Sequence, residues 1–295
     1  MNIITRGDFD GLVCSVLLTE VETVNTIRFA HPREMQQRKV SVTNQDIIVN
    51  LPYHPDCGMW FDHHISEQVR GSKPESFKGA YGLAPSCARL VYEYYKKPEW
   101  ERFHGLLAET DKIDSAQLNL NDILRPEGWV RVSNTVDPRS GFAASREYFL
   151  NLVDWIKEHT IEEILNLDDV RDRVREYFKQ QEEYKKALAD KSTLEGGVVI
   201  TDFRGVRAVP VGSRFLVYAI FPRARVAVRV FDGPTADMVT IAVGHSIINR
   251  GCKVDVGNLM AEYGGGGHVG AGTCAVTKEN SDQAITDIVT RLNVE

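Results

Sequence analysis

The sequence has no apolar run approaching the roughly 20 residues that a bilayer-spanning helix requires, so a membrane-embedded chain is not expected. Residues 1–18 lack a basic region followed by an apolar stretch and a small-residue cleavage site, and they read as a first strand, not a signal segment. Cysteine is scarce and odd in number (Cys14, Cys57, Cys87, Cys252, Cys274), and no Cys-x-x-Cys pair occurs. This argues against a disulfide framework, and reduced thiols with a cytoplasmic location are expected. An excess of positive charge is also missing: the formal net charge is −6, which argues against a generally basic nucleic-acid binder. Between Phe203 and Phe231 there is no acidic residue, yet Arg204, Arg207, Arg214, Arg223, Arg225 and Arg229 all fall there. Arginine's planar fork suits phosphate, and a strand surface that happens to carry arginine explains the same pattern. No internal repeat or low-complexity segment is present.

What is there is enough chain, 295 residues, to bury a substantial core and to divide into two domains. Short β-type runs at 1–5, 25–30, 46–51 and 59–62 alternate with helical patterns at 12–18, 84–95 and 99–110. That alternation predicts an α/β fold with a doubly wound parallel sheet. Residues 119–146 read as irregular, punctuated by Pro126, Gly128, Pro138 and Gly141, and a helical stretch follows at 148–159. A long charged helix with one apolar stripe is predicted at 168–194, ended by Glu195-Gly196-Gly197. Beyond it, strands at 198–202, 226–231 and 238–243 and a helix at 281–292 predict a smaller mixed-sheet α/β domain. The expected division is 1–160 for the first domain, 161–195 for a helical linker and 196–295 for the second.

Three polar clusters each follow a predicted element, where ligands of an open parallel sheet collect. Asp8-Phe9-Asp10-Gly11 puts two carboxylates on a strand-to-helix turn, a set suited to hard divalent cations. Asp62-His63-His64 places three titratable groups directly after an apolar strand, and carboxylate plus imidazole suits manganese or zinc. Glu109-Thr110-Asp111-Lys112-Ile113-Asp114 ends a helical run and offers a later carboxylate. The fourth feature is Tyr263-Gly264-Gly265-Gly266-Gly267-His268. Four glycines in a row are entropically costly, and backbone N–H groups approaching an anion would justify them. Taken singly, these features also fit a solvated turn, a charged helix terminus or a linker.

Together, in this order and spanning nearly the whole chain, Asp-x-Asp-Gly, Asp-His-His, a later Asp and Gly-Gly-Gly-Gly-His resemble the DHH phosphoesterase superfamily. Within it, Thr5-Arg6-Gly7-Asp8-Phe9-Asp10-Gly11-Leu12-Val13-Cys14 looks most like the exopolyphosphatase-related group. The resemblance implies Asp8, Asp10, His63 and Asp111 as metal ligands, with Asp114 as runner-up to Asp111. It implies His64 as the group that polarises phosphate or donates a proton, with Asp62 in support. Gly265, Gly266, Gly267 and His268 would hold a substrate phosphate, and His245, Ser246 and Arg250 are further candidates there.

The sequence departs from the family twice. Where many relatives carry a histidine ligand beside the first motif it has Arg6, which cannot bind a cation. Where the family places a metal-bridging aspartate it has Asn50, a neutral ligand at best, with His54, Asp56 and Cys57 nearby as substitutes. One firm divalent site, most suited to Mn²⁺ with Mg²⁺ or Co²⁺ as alternatives, and a weak second site are therefore expected. The implied reaction is metal-dependent hydrolysis of a phosphoester or phosphoanhydride, in polyphosphate, a short oligonucleotide or a dinucleotide. A non-catalytic phosphate or nucleotide sensor, with part of the metal site lost, is the rival reading.

Overall fold

The computed structural model describes residues 1–64, 74–136 and 146–294. The chain divides into two compact units, one of Met1–Gln117 with Pro126–Tyr177, the other of Leu118–Arg125 with Phe178–Glu295. The chain passes between the units at 117/118, 125/126 and 177/178; the last lies within 161–195, and Leu118–Arg125, expected in the first domain, groups with the second unit. Among the described residues no helix is long and apolar enough to cross a membrane.

In the first unit, strands β1 (Asn2–Thr5), β2 (Thr26–Phe29), β3 (Asp46–Val49), β4 (Met59–Asp62) and β5 (Gly79–Tyr81) form one sheet in the order β2-β1-β3-β4-β5. All its pairings are parallel. Alternate strand residues point to opposite faces. Ile3, Ile47, Val49 and Phe61 join the core under the helices Phe9–Val21, Cys87–Tyr95 and Arg146–Glu158, while Ile4, Ile48 and Trp60 pack on the other face with Met35 and Val42. Both faces are covered, which is why β1, β3 and β4 read as unbroken apolar runs. The chain turns from β1 to β2 on one side and returns to β3 on the other, so the loops after β1 and β3 diverge at a topological switch point. In register, Thr5 lies beside Val49 and Val49 beside Phe61, so the residues following these three strands emerge at one level.

The start of β3 is pinned by Asp46, which is buried and accepts from Thr43 N and Oγ1, Asn2 Nδ2 and Arg28 Nη2. Burial alone would raise its pKa, but these donors outweigh it and hold the carboxyl below its usual value. The stabilisation is thus present above the unfolded pKa and lost as pH falls through the lowered folded value. Asp46→Ala should cost about 2 kcal/mol at neutral pH, by leaving buried donors without an acceptor. Urea midpoints at pH 7 and pH 3 check this: the gap between variant and parent should narrow in acid, and an equal gap at both would contradict it.

The second unit holds a mixed sheet, β6 (Ser192–Glu195), β7 (Val198–Asp202), β8 (Val226–Asp232), β9 (Met238–His245), β10 (Gly266–His268) and β11 (Ala271–Thr277), ordered β10-β11-β9-β8-β7-β6. Only β7 and β8 run parallel. The helices Val256–Ala261 and Lys278–Asn293 cover one face. The long helix, predicted to run to 194, stops at Lys191, and 192–195 forms a strand that turns at Gly196 (φ +59) into β7. The supposedly irregular 119–146 contains the helices Leu120–Leu124, capped by Asn119, and Gly128–Val136; its remainder, 137–145, lies outside the described residues.

Candidate active site

Asp10 sits in the first turn of the helix Phe9–Val21 and is almost fully buried. Its carboxylate is held by the start of another helix: Cys87 N donates to Oδ2 at 2.9 Å and Ala88 N to Oδ1 at 2.8 Å. These are the free amides at the N-terminus of Cys87–Tyr95, whose N-cap is Ser86. Oδ1 also accepts from Cys14 Sγ at 3.9 Å, and Oδ2 keeps a lone pair for another partner. The sequence reading missed these amides, although Ser86 ahead of an apolar run is an N-cap signal that points to them.

His63 follows β4. Its Nδ1 lies 3.0 Å from the Ala84 carbonyl, which can only accept, so Nδ1 carries the proton and the neutral ring keeps its lone pair on Nε2. Nε2 is buried and makes no hydrogen bond. Asp114 Oδ2 lies 3.1 Å from it and Asp10 Oδ2 3.8 Å, close, but off the line of the ring nitrogen. The ligand atoms of Asp10, His63 and Asp114 all lie within 4.8 Å of one another.

Electrostatics mark the same three residues. Burial, and then the charge of Asp114, pushes the Asp10 carboxyl up to about 7. Burial alone would lower the His63 ring, but Asp114 and Asp10 outweigh it and push it up to about 10. Both shifts reflect negative charge crowded into a site sheltered from water, which a divalent cation would neutralise. Two carboxylate oxygens and an orphaned imidazole nitrogen, backed by amides and a carbonyl, fit such an ion.

Asp111 does not join the cluster. It accepts from Ser86 Oγ at 2.6 Å and from Arg89 Nε at 2.9 Å, with Arg89 Nη2 also on it. Asp114, the runner-up, lies beside His63 and Asp10. Asp8 is likewise engaged: Oδ1 accepts from Gly11 N and from Asn50 Nδ2, both at 3.0 Å, and Oδ2 lies 3.2 Å from Arg6 Nε. Burial raises the Asp8 pKa against the pull of Arg6, with Asp114 adding to the rise and His64 opposing it. Asn50, at φ 56, turns its amide nitrogen to Asp8 and leaves Oδ1 buried without a hydrogen bond. His54, Asp56 and Cys57 form their own turn, in which His54 accepts from the Asp56 and Cys57 amides.

His64 is the more exposed imidazole. Its Nδ1 lies 2.7 Å from Asp62 Oδ1, and Asp62 is fully buried with Oδ2 unpaired. Burial alone would lower the His64 pKa, but Asp62 outweighs it and raises the value. The pair holds a proton at a half-exposed ring, an arrangement able to protonate a leaving oxygen.

In the second unit the glycines are explained first by packing. A Cβ on Gly265 would meet Thr273 O at 2.0 Å, and one on Gly267 would meet Ala271 O at 2.2 Å; Gly266 alone of the three faces open space. His268 Nδ1 accepts from Gly270 N, and His245 also lies near Gly270, with Nε2 3.0 Å from the Val254 carbonyl. Ser246 Oγ accepts from Ile248 N and Asn249 N, holding its own turn, and Arg250 Nε donates to Ile247 O. Of the six arginines in the acid-free segment, Arg204 is held by Asp202 and Asp282.

No protein-family model matches the chain, and no curated protein matches it. Solved structures do. A pGpG-specific phosphodiesterase, PggH, from Vibrio cholerae is 34% identical, covers 99% of this chain and 98% of its own, and superposes with a TM-score of 0.83. An exopolyphosphatase-related protein from Bacteroides fragilis matches over 99% of this chain and 92% of its own at 11% identity and a TM-score of 0.52. RecJ from Thermus thermophilus, solved in complex with Mn²⁺, matches over 99% of this chain and 52% of its own at 11% identity and a TM-score of 0.55. The last two likenesses are of fold alone.

Proposed function

The chain belongs to the DHH family of phosphoesterases and is a hydrolase, and from that premise we propose that it cleaves a short linear dinucleotide at its internal phosphodiester with the help of a divalent ion, Mn²⁺ in the first instance. The observation that carries the substrate is full-length similarity at 34% identity to a phosphodiesterase described as pGpG-specific. Polyphosphate has weaker support, since the exopolyphosphatase-related neighbour shares only 11% identity.

Asp10, His63 and Asp114 would hold the ion. When bound there, it supplies Lewis acidity toward the attacking water and the phosphate oxygens. The chain's own residues do the rest. The amides of Cys87 and Ala88 fix Asp10, and the Ala84 carbonyl fixes the His63 tautomer. Asp62 orients His64, whose Nε2 delivers a proton to the departing sugar oxygen. In the second unit, the hairpin at Gly266 with His245 and His268 is the proposed phosphate-holding element. The sensor reading would need an incomplete ligand set; a clustered Asp10, His63 and Asp114 favours hydrolysis.

The test is a parallel assay of the Mn²⁺-loaded protein on pGpG, a cyclic dinucleotide and polyphosphate. Conversion of pGpG and water to two GMP should exceed the other rates by about 10²-fold or more, a margin that reading hydrogen-bonding groups of a substrate can supply. Faster release of phosphate from polyphosphate would overturn the assignment.

A further inference from the structure

Both Asp8 oxygens already have partners. Oδ1 is shared between Gly11 N and Asn50 Nδ2, and Oδ2 faces Arg6 Nε. A cation binding Asp8 would have to displace a guanidinium already there, and would then lie beside a neutral amide nitrogen on Asn50, which repels it. The Asn50 amide nitrogen serves Asp8, and the residue is buried just past the end of β3.

Arg6 itself is only partly used. Its side chain is 44% exposed, and Nε alone has a described partner, so among the described residues both Nη groups lack a protein acceptor. The Arg6–Asp8 pair also lies at the edge of the ion cluster: Asp8 caps the helix whose first turn carries Asp10, and Asn50, bonded to Asp8, donates its backbone N–H to Phe61, two residues before His63. A fixed positive charge therefore stands next to the expected ion, with an unspent pair of donors. Guanidinium donors match the spacing of phosphate oxygens and carry charge without needing a ligand set.

We propose that Arg6 takes the place of a second metal ion: Asp8 and Asn50 are positioning residues that hold it, and its Nη groups contact the non-bridging oxygens of the scissile phosphate. The chain then works with one divalent ion. This rests on the metal-dependent hydrolysis proposed above and assigns a role that the sequence reading had left to a weak second ion.

The experiment is Mn²⁺ titration of the chelator-treated full chain by calorimetry and by electron paramagnetic resonance. The parent should bind one ion per chain. Arg6→Ala should still bind one, yet lose about 10²- to 10³-fold in kcat/KM on pGpG, the size typical of deleting a charge-stabilising donor. Arg6→Lys, a point charge without the fork, should recover about tenfold of that loss. Arg6→His combined with Asn50→Asp should take up a second ion and show a spin-coupled manganese pair. Two ions of comparable affinity in the parent, or an Arg6→Ala variant at parental rate, would overturn the proposal while leaving metal-dependent hydrolysis standing. A parent that binds no Mn²⁺ would overturn both. Should the double variant not fold, as judged by circular dichroism, the parental stoichiometry and the Arg6→Ala and Arg6→Lys rates still decide.

Discussion

Asp10→Asn and Asp114→Asn are each expected to lower kcat by about 10³-fold or more and to weaken Mn²⁺ binding by at least about tenfold, because each removes a charge from the proposed ion site. In Asp10→Asn an NH₂ would also oppose one of the Cys87 and Ala88 amides, donor against donor. Some stability is lost there, on the order of 1–3 kcal/mol for an unpaired buried group, so rates belong well below the melting temperature. Asp114 is less buried than Asp10 and lies next to His63, so its variant should fold normally and isolate the effect on the ion. Asp111→Asn is the control. It loosens Arg89 and Ser86 and should lower the melting temperature, while Mn²⁺ affinity stays within about threefold of the parent, as expected for a group that touches no ligand. The reverse ranking, with Asp111 critical and Asp114 dispensable, would mean the cluster is misassigned.

The second large effect is at His64. His64→Asn should reduce kcat by about 10²- to 10⁴-fold, the range of general acid catalysis, while Mn²⁺ affinity is unchanged because the ring does not belong to the ligand cluster. Asp62→Asn should reproduce most of the loss, since an amide cannot hold the imidazolium as a carboxylate does. The separation is checked by comparing kcat on pGpG with that on an analogue whose leaving oxygen is attached to a p-nitrophenyl group. That leaving group needs no proton, so both variants should approach the parental rate on it. Equal deficits on the two substrates would remove the acid role and leave His64 as a phosphate contact.

Much of this was legible before any coordinates. β1, β3 and β4 stood out because a parallel sheet covered on both faces writes continuous apolar runs such as Asp-Ile-Ile-Val and Met-Trp-Phe-Asp. β5 did not, because three residues, Gly79–Tyr81, at a sheet edge carry no period. Leu120–Leu124 and Gly128–Val136 were hidden by Pro126 and Gly128, which in the fold separate two short helices instead of marking a loop.

The site was legible as residue types and not as partnerships. Asp111 and Asp114 occupy one helix three residues apart, and nothing local distinguishes them. In the structure Ser86 and Arg89, more than twenty positions earlier, engage Asp111, while Asp114 lies beside His63. Arg6 could be read only as a residue that repels cations; that it turns back onto Asp8, and that Asn50 reaches Asp8 from the next strand, depends on β1 and β3 lying side by side. The glycine run suggested an anion cradle, but the contacts at Gly265 and Gly267 show that close packing of β10 on β11 accounts for two of its members.

Asp10, His63 and Asp114 are proposed to form the ion site. A crystal grown with Mn²⁺ and measured at the manganese absorption edge tests it directly. One anomalous peak per chain is expected, bound by His63 Nε2 and by oxygens of Asp10 and Asp114, with Asp8 still paired to Arg6. A peak seated on Asp8 or Asp111, or none at the cluster, would contradict it.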